Sequence, residues 1–475
     1  MADNIRVRFA PSPTGFMHLG NVRAALMNYL FAKNQAGTFI LRIEDTDEKR
    51  NIEEARAKIL SDLEWLGLEF QEGPYKNGPY APYLQSEREH LYQEKLAQLI
   101  EMKRAYRCFC TLEELENKRA RHIALKQPPR YDRTCLRLTE NQIQEKLATN
   151  LPFIWRCKIE DGHTATIADM AKGSIFFDMK NFSDFALTRT NGSSTFMFAN
   201  FVDDWLMEIT HVIRGEDHLT NTAMQAELYH TFSVPLPIFW HLPIICNNKG
   251  EKLSKRDFGF SLEDLKTAGF LPAAIVNYLA IIGASFKEEI QSLEELVTNF
   301  DFSHIHSSSS IKYDLEKLTW INHQWIARSN SYEMLEQLKS LLHKDIPTSM
   351  QTDAQELEKL ITLLKPELKT LNDIVPLAAF YFDTPVIHKE DLVAHVGAEK
   401  TEHILHSIAE CKQFLPNIEL FLEHLKTLCK KHEISMKELF GSLRYLLTGQ
   451  FQGIGIKDLL TILQPAIIEQ RLSMN

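Results

Sequence analysis

The chain has 475 residues, 44% hydrophobic and 24% charged, with a formal net charge of −10. That length and apolar share can bury several cores, so three or more globular domains are expected and a disordered chain is excluded. The sequence opens on no charged-then-apolar leader. Its longest apolar stretch, Phe270 to Ala284, is broken by Pro272 and Asn277 and is too short to span a bilayer, and seven scattered cysteines argue for a reduced compartment, so a cytosolic protein is expected.

The first element is the short apolar run Ile5 to Phe9, a strand, which breaks into Ala10-Pro11-Ser12-Pro13-Thr14-Gly15 and then His18-Leu19-Gly20-Asn21 before a helical pattern. Two prolines and Gly15 stop strand and helix alike and force a tight crossover. In open α/β sheets a loop at a strand's carboxyl end is where ligands bind, and a helix starting there aims unpaired N–H groups at a phosphate. Gly20 would let a purine approach the backbone, and His18 would stand beside the phosphates as a donor. An ordinary structural turn with a surface histidine is the competing reading of this piece alone.

Thr38 to Ile43 reads as a second strand and Glu53 to Leu66 as the next helix, the alternation of a dinucleotide-type parallel sheet. From about Ala105 to Asn191 the pattern changes to short strands, Phe153–Ile159 and Ile175–Met179, which predicts an inserted domain. Within it, Lys118, Arg119, Arg121, Lys126, Arg130, Arg133 and Arg137 face one acid, Asp132, a candidate surface for tracking phosphates. The sheet resumes with Glu208 to Arg214. The apolar run Ile238 to Cys246 then leads through Asn247-Asn248-Lys249-Gly250 to Lys252-Leu253-Ser254-Lys255-Arg256, whose lysines could meet the same phosphates as His18. Past about residue 320 the chain reads as helical, with Leu357, Leu360, Ile361 and Leu364 at one helical face and Phe421, Leu425 and Leu428 at another. Ser307 to Ser310 reads as a local loop.

Five segments in order carry a resemblance: Arg8–Gly15, His18–Asn21, Leu41–Asp47, Val212–His218 and Lys252–Arg256. Together they resemble the signature set of the glutamyl-tRNA synthetases of class I, specifically over about residues 5 to 285 and loosely beyond. The resemblance implies an α/β fold: a Rossmann-type parallel-sheet catalytic domain (1–105 and 192–250), an inserted α+β acceptor-stem-binding domain (106–191), a KLSKR loop and stem-contact helical domain (251–322) and an all-α anticodon-binding domain (323–475). It implies ligation of L-glutamate to the 3′ end of tRNA-Glu, with tRNA-Gln an open second substrate, through an adenylate made from ATP with Mg²⁺, by a monomer.

By the same resemblance, His18, Lys252 and Lys255 serve catalysis. Gly20, Asn21, Glu216 and Ser254 join them around ATP, while Arg8, Ala10, Ser12, Glu44, Phe196, Asn200 and Arg214 hold glutamate. Arg8 and Arg214 suit the side-chain carboxylate and Glu44 the ammonium, because guanidinium and carboxylate make charge-assisted contacts. Three departures stand out. Phe196 replaces a usual tyrosine and removes a hydroxyl from the pocket. Cys108, Cys110 and Cys135 match a zinc spacing whose fourth position, two residues on, here holds Arg137, so buried free thiols are expected, with these three as zinc candidates and His122 as a conceivable fourth ligand. Asn21 stands where many class I enzymes carry a second histidine. A silent synthetase-like RNA-binding protein is the alternative, although it should have lost His18, Lys255 or Arg214. A glutaminyl enzyme also stays open.

Overall fold

The computed structural model describes residues 5–13, 15–46, 52–76, 78–305, 310–331, 334 and 354–473. Thr14, Asp47 and Ser307 to Ser309, named above, lie outside them. The chain divides into two compact units, residues 1–265 with 275–315, and residues 266–274 with 316–475.

In the first unit, strand β1 (Arg6–Phe9) runs parallel to β2 (Thr38–Leu41), with Arg8 opposite Ile40, and helix α1 (Leu19–Asn34) crosses between them. Buried residues occur all round α1, from Leu19 and Val22 to Ala25, Leu26 and Leu30, as expected of a helix packed on more than one side. Helix α2 (Ile52–Trp65) follows within a residue of its expected limits. A second parallel pair, β7 (His211–Gly215) and β8 (Ile238–Leu242), puts Arg214 opposite His241. Thr210 N donates to Arg6 O at 3.0 Å, which brings β7 alongside β1. The apolar run that read as one segment is two strands, because Pro243 cannot donate to a ladder. Its second part, β9 (Ile244–Cys246), pairs in parallel with β10 (Ser310–Lys312).

The stretch expected as an insertion contains short strands, and part of it pairs and packs with the strands of the parallel sheet. Strands β5 (Thr164–Asp169) and β6 (Gly173–Asp178) form an antiparallel hairpin, and β5 pairs with β8 through Asp169 and Phe239. Ile159, Ala165, Ile167 and Met179 share one apolar cluster with Ile40, Val212 and Phe239. Strands β3 (Ala105–Cys108) and β4 (Ile154–Cys157) pair separately.

The second unit is helical in its described residues. The helix Ala354–Leu364 buries Leu357, Leu360, Ile361 and Leu364, and Ile418–Lys431 buries Phe421, Leu425 and Cys429, leaving Leu428 half-buried. Asn322, fully buried, ties this unit's segments by accepting from Leu271 N at 2.8 Å and donating to Lys369 O at 2.7 Å.

Candidate active site

At the carboxyl ends of β1 and β7 lies a cavity of about 400 Å³ lined by, among others, Arg8, Ala10, His18, Gly20, Asn21, Glu44, Phe196, Asn200, Arg214 and Lys252. Ten residues singled out from the sequence thus meet at one site. Ser12 is exposed, and neither it nor Glu216, Ser254 or Lys255 lines the cavity. Glu216 is bound by Lys172 Nζ at 3.0 Å, and Ser254 donates to Asp257 at 2.9 Å. The exposed Lys255 makes no hydrogen bond or ion pair among the described residues.

His18 caps α1: its Nδ1 accepts from Asn21 N at 3.2 Å, and the Asn21 side chain accepts from His18 N. Nδ1 being an acceptor, the ring proton sits on Nε2. Burial, helped by the charge of Lys252, lowers the His18 pKa, so the ring is a neutral donor at neutral pH. A Cβ on Gly20 would lie 3.0 Å from the His18 ring and would press on the histidine's seat. Lys252 Nζ is held 2.9 Å from Asp217.

The end of the cavity lined by Arg8, Glu44 and Arg214 is an ion network. Arg8 grips Asp204 through Nε at 2.9 Å and Nη2 at 3.2 Å. Arg42, fully buried, reaches Asp204 at 2.7 Å, Glu44 at 3.1 Å and Asp203 at 3.7 Å. Burial alone would raise the Asp204 pKa, but the two arginines outweigh it and hold the carboxyl ionised. For Glu44 burial wins over the same arginines, and its pKa is raised. Asn200 donates to Glu44 at 2.5 Å and accepts from Gln225 at 2.7 Å. Arg214 Nη2 donates to Gln225 at 2.6 Å and Thr222 at 2.7 Å, and burial lowers its pKa to about 10, which leaves it cationic at neutral pH. His218 also lines the cavity, and burial with the Arg214 charge lowers its pKa to about 4.

Asp203, Asp204, Arg42, Thr222, Gln225 and His218 were given no role from the sequence. A signal existed: helix α6 (Phe196–Leu206) is apolar apart from Asn200, Asp203 and Asp204, which recur at i, i+3 and i+4 and so share one face.

Elsewhere, the cationic stretch is largely spent internally. Lys118 pairs with Asp132, Arg133 with Asp161 and Asp184, Arg130 donates to Lys180 O, and Arg137 bonds Asp132 O. Arg119, Arg121 and Lys126 are the exposed cations left to meet a phosphate. The sulfurs of Cys108, Cys110 and Cys135 lie within 4.8 Å of one another. His122 is engaged instead by Arg130 N, while the Tyr131 hydroxyl stands 3.4 Å from Cys108 Sγ and 3.6 Å from Cys110 Sγ. The thiols supply three of the four ligands a structural zinc takes, and the Tyr131 hydroxyl stands beside two of them.

Parallel strand pairs with loops at their carboxyl edge in one unit and a helical second unit in the same chain fit the architecture of a class I aminoacyl-tRNA synthetase. Residues 4–320 match the family of tRNA synthetases class I (E and Q), catalytic domain, and the chain belongs to it. Residues 332–474 match an anticodon binding domain. The chain is 35% identical over 484 residues to the glutamate--tRNA ligase of Bacillus subtilis, covering 99% of both, and 38% identical over 481 residues to glutamate--tRNA ligase 1 of Pseudothermotoga lettingae, covering 98% of this chain and 99% of that one. Its fold superposes at a TM-score of 0.87, with 31% identity and 99% of this chain and 98% of the other covered, on the crystal structure of a glutamate tRNA ligase from Elizabethkingia meningosepticum in complex with its amino acid. Among the described residues, no helix is long and apolar enough to cross a membrane.

Proposed function

We propose that this chain is a glutamate--tRNA ligase: it activates L-glutamate with ATP to glutamyl-adenylate and transfers the glutamyl group to the terminal adenosine of tRNA-Glu, releasing AMP and pyrophosphate. The observation that carries the reading is that one cavity brings Arg8 and Arg214 together with the Glu44 carboxylate, next to His18 and Lys252, with Arg23 and Asp217 also on its wall. An amino acid with an acidic side chain needs that set: cations for the side-chain carboxylate and an anion for the ammonium.

The α-carboxylate of glutamate attacks the α-phosphorus, and charge builds on the phosphoryl oxygens. The neutral His18 Nε2–H donates to them, and Lys252, released from Asp217, meets the outer phosphates, with Lys255 arriving from the exposed loop. ATP enters as its Mg²⁺ complex, the cation neutralising phosphate charge. No general base is needed for the transfer to the 2′-hydroxyl. Acceptor-stem binding falls to residues 106–191 and anticodon reading to the helical residues 323–475; the enzyme acts as a cytosolic monomer, and Cys108, Cys110, Tyr131 and Cys135 hold a structural zinc.

The test is Arg214→Ala in steady-state aminoacylation with glutamate and ATP varied separately. The Michaelis constant for glutamate should rise about a hundredfold, for loss of charged hydrogen bonds, while that for ATP stays near the parent value. An unchanged glutamate constant would remove Arg214 from the pocket.

A further inference from the structure

Behind Arg214, on the side away from the cavity, the structure continues a polar chain into the sheet that substrate contact does not explain. Thr222 Oγ1, which accepts from Arg214 Nη2 at 2.7 Å, lies 2.8 Å from His241 Nε2, and His241 Nδ1 lies 2.6 Å from Asp169 Oδ2. Thr222 and His241 are 0% and 1% exposed and Asp169 is 4% exposed, so no water competes for these bonds. Asp169 also accepts from the backbone of Ala171, Lys172 and His241, at 2.8 to 3.1 Å, and is thereby fixed. A burial this deep, in register opposite Arg214 on the neighbouring strand, is costly for polar groups unless each bond is made.

The direction of every bond follows from its ends. Arginine only donates, so Thr222 Oγ1 and Gln225 Oε1 must accept from it. An ionised Asp169 only accepts, so His241 carries its proton on Nδ1, and Nε2 is left as the acceptor for the single Thr222 hydroxyl proton. That proton has one rival, His218 O, but at 3.2 Å against 2.8 Å. On the other side Gln225, its oxygen taken by Arg214, turns its amide hydrogens to Asn200 O, and Asn200 turns its own to Glu44. Both branches run outward from Arg214 and end on carboxylates, Asp169 and Glu44. Nη2 is thereby saturated, whereas among the described residues neither Nε, which is buried, nor Nη1 has a hydrogen-bond partner, and Arg214 is a residue of the cavity wall. Arg214 also lies over the Phe239 ring at 5.7 Å, which bars it from swinging toward β8.

We propose that Thr222, His241 and Asp169 form a positioning relay that fixes Arg214 with Nη2 turned inward and Nη1 turned to the side-chain carboxylate of glutamate. These three are positioning residues, since none of them lines the cavity. The inference rests on the assignment of Arg214 to the glutamate side chain. It adds that the pocket's selectivity depends on a histidine tautomer set in the hairpin β5–β6, within the stretch 106–191 that the sequence would give to RNA.

The experiment is steady-state aminoacylation of tRNA-Glu by the full chain. Thr222→Val keeps the shape and removes the hydroxyl; Asp169→Asn keeps the shape and frees the tautomer. In both, the glutamate Michaelis constant should rise about tenfold while those for ATP and tRNA stay within twofold, and Thr222→Ser, which restores the oxygen, should recover most of the loss. A merely structural role would instead lower the melting temperature and turnover and leave the three Michaelis constants in their parent ratio. Glutamate constants at the parent value in Thr222→Val and Asp169→Asn overturn the relay, and so does a Thr222→Ser enzyme as impaired as Thr222→Val. If Thr222→Val does not fold, Asp169→Asn and Thr222→Ser decide alone. Arg214→Ala, run beside them, separates the two claims: an unaffected Arg214→Ala defeats the pocket assignment, whereas an impaired Arg214→Ala beside unaffected relay variants defeats the relay only.

Discussion

Arg42→Met should cost the catalytic unit both stability and glutamate binding, with opposite dependences on pH. Arg42 is fully buried and is shared by Asp204 at 2.7 Å, Glu44 at 3.1 Å and Asp203 at 3.7 Å. After its removal Asp204 keeps Arg8 and Asp203 keeps Arg88, at 2.9 and 2.7 Å, but Glu44 keeps the neutral Asn200 amide as its hydrogen-bond donor and only the more weakly acting charge of Arg8. Uncovering a buried charge in this way costs about 3–5 kcal/mol. The Glu44 pKa, already raised by burial, must then rise further. A carboxyl whose folded pKa exceeds its unfolded value contributes stability that is full below the unfolded pKa and lost as pH rises through the folded one. The stability deficit of Arg42→Met should therefore be larger at about pH 8 than at about pH 5 in urea unfolding followed by fluorescence. Glutamate binding runs the other way, because only ionised Glu44 holds the ammonium: the Michaelis constant should worsen as pH falls toward about 6. A deficit below about 1 kcal/mol, or a glutamate constant with the parent pH dependence, would refute the reasoning, since the buried network would then not be what keeps Glu44 charged.

Phe196 lines the cavity half-buried, 6.0 Å from the His218 ring, and brings no donor to the substrate. Phe196→Tyr should lower the glutamate Michaelis constant about tenfold, the worth of one hydrogen bond to a charged group, and an unchanged or raised constant would show that the pocket has no lone pair within reach. Metal analysis of the purified protein should find one equivalent of zinc, lost in Cys110→Ser; its absence would return Cys108, Cys110 and Cys135 to the free thiols expected from the sequence.

The loops at the sheet edge were legible because their chemistry is local. Pro11, Pro13 and Gly15 interrupt strand and helix through their own backbone geometry, and the helix they precede starts at once, capped by His18 and Asn21. Of Arg8, Glu44, Asn200 and Arg214, which all line the one cavity, Asn200 was singled out through the resemblance and the other three through the motifs around them. Their partners were not, because Asp204, Thr222, Gln225 and His241 act only across strands and helices whose juxtaposition a linear reading does not supply. The face of α6 that carries Asn200, Asp203 and Asp204 is the exception, since three polar groups on an otherwise apolar helix announce a buried network. The attachment of the inserted stretch was not legible for a related reason: Thr164 to Asp178 alternates as any hairpin does, and only the pairing of Asp169 with Phe239 joins it to the strands of the parallel sheet. The cations from Lys118 to Arg137 looked like one surface because sequence counts charges without their partners.

Charging by the purified enzyme of purified tRNA-Glu and, separately, of tRNA-Gln, with radiolabelled glutamate and with glutamine as the control amino acid, tests the central claim most directly. The account predicts acid-precipitable glutamate on tRNA-Glu and no charging with glutamine, because Arg8 and Arg214 call for a carboxylate; label on tRNA-Gln as well would add a second acceptor without changing the chemistry. Charging with glutamine in place of glutamate, or of neither tRNA when both are shown competent, would contradict it.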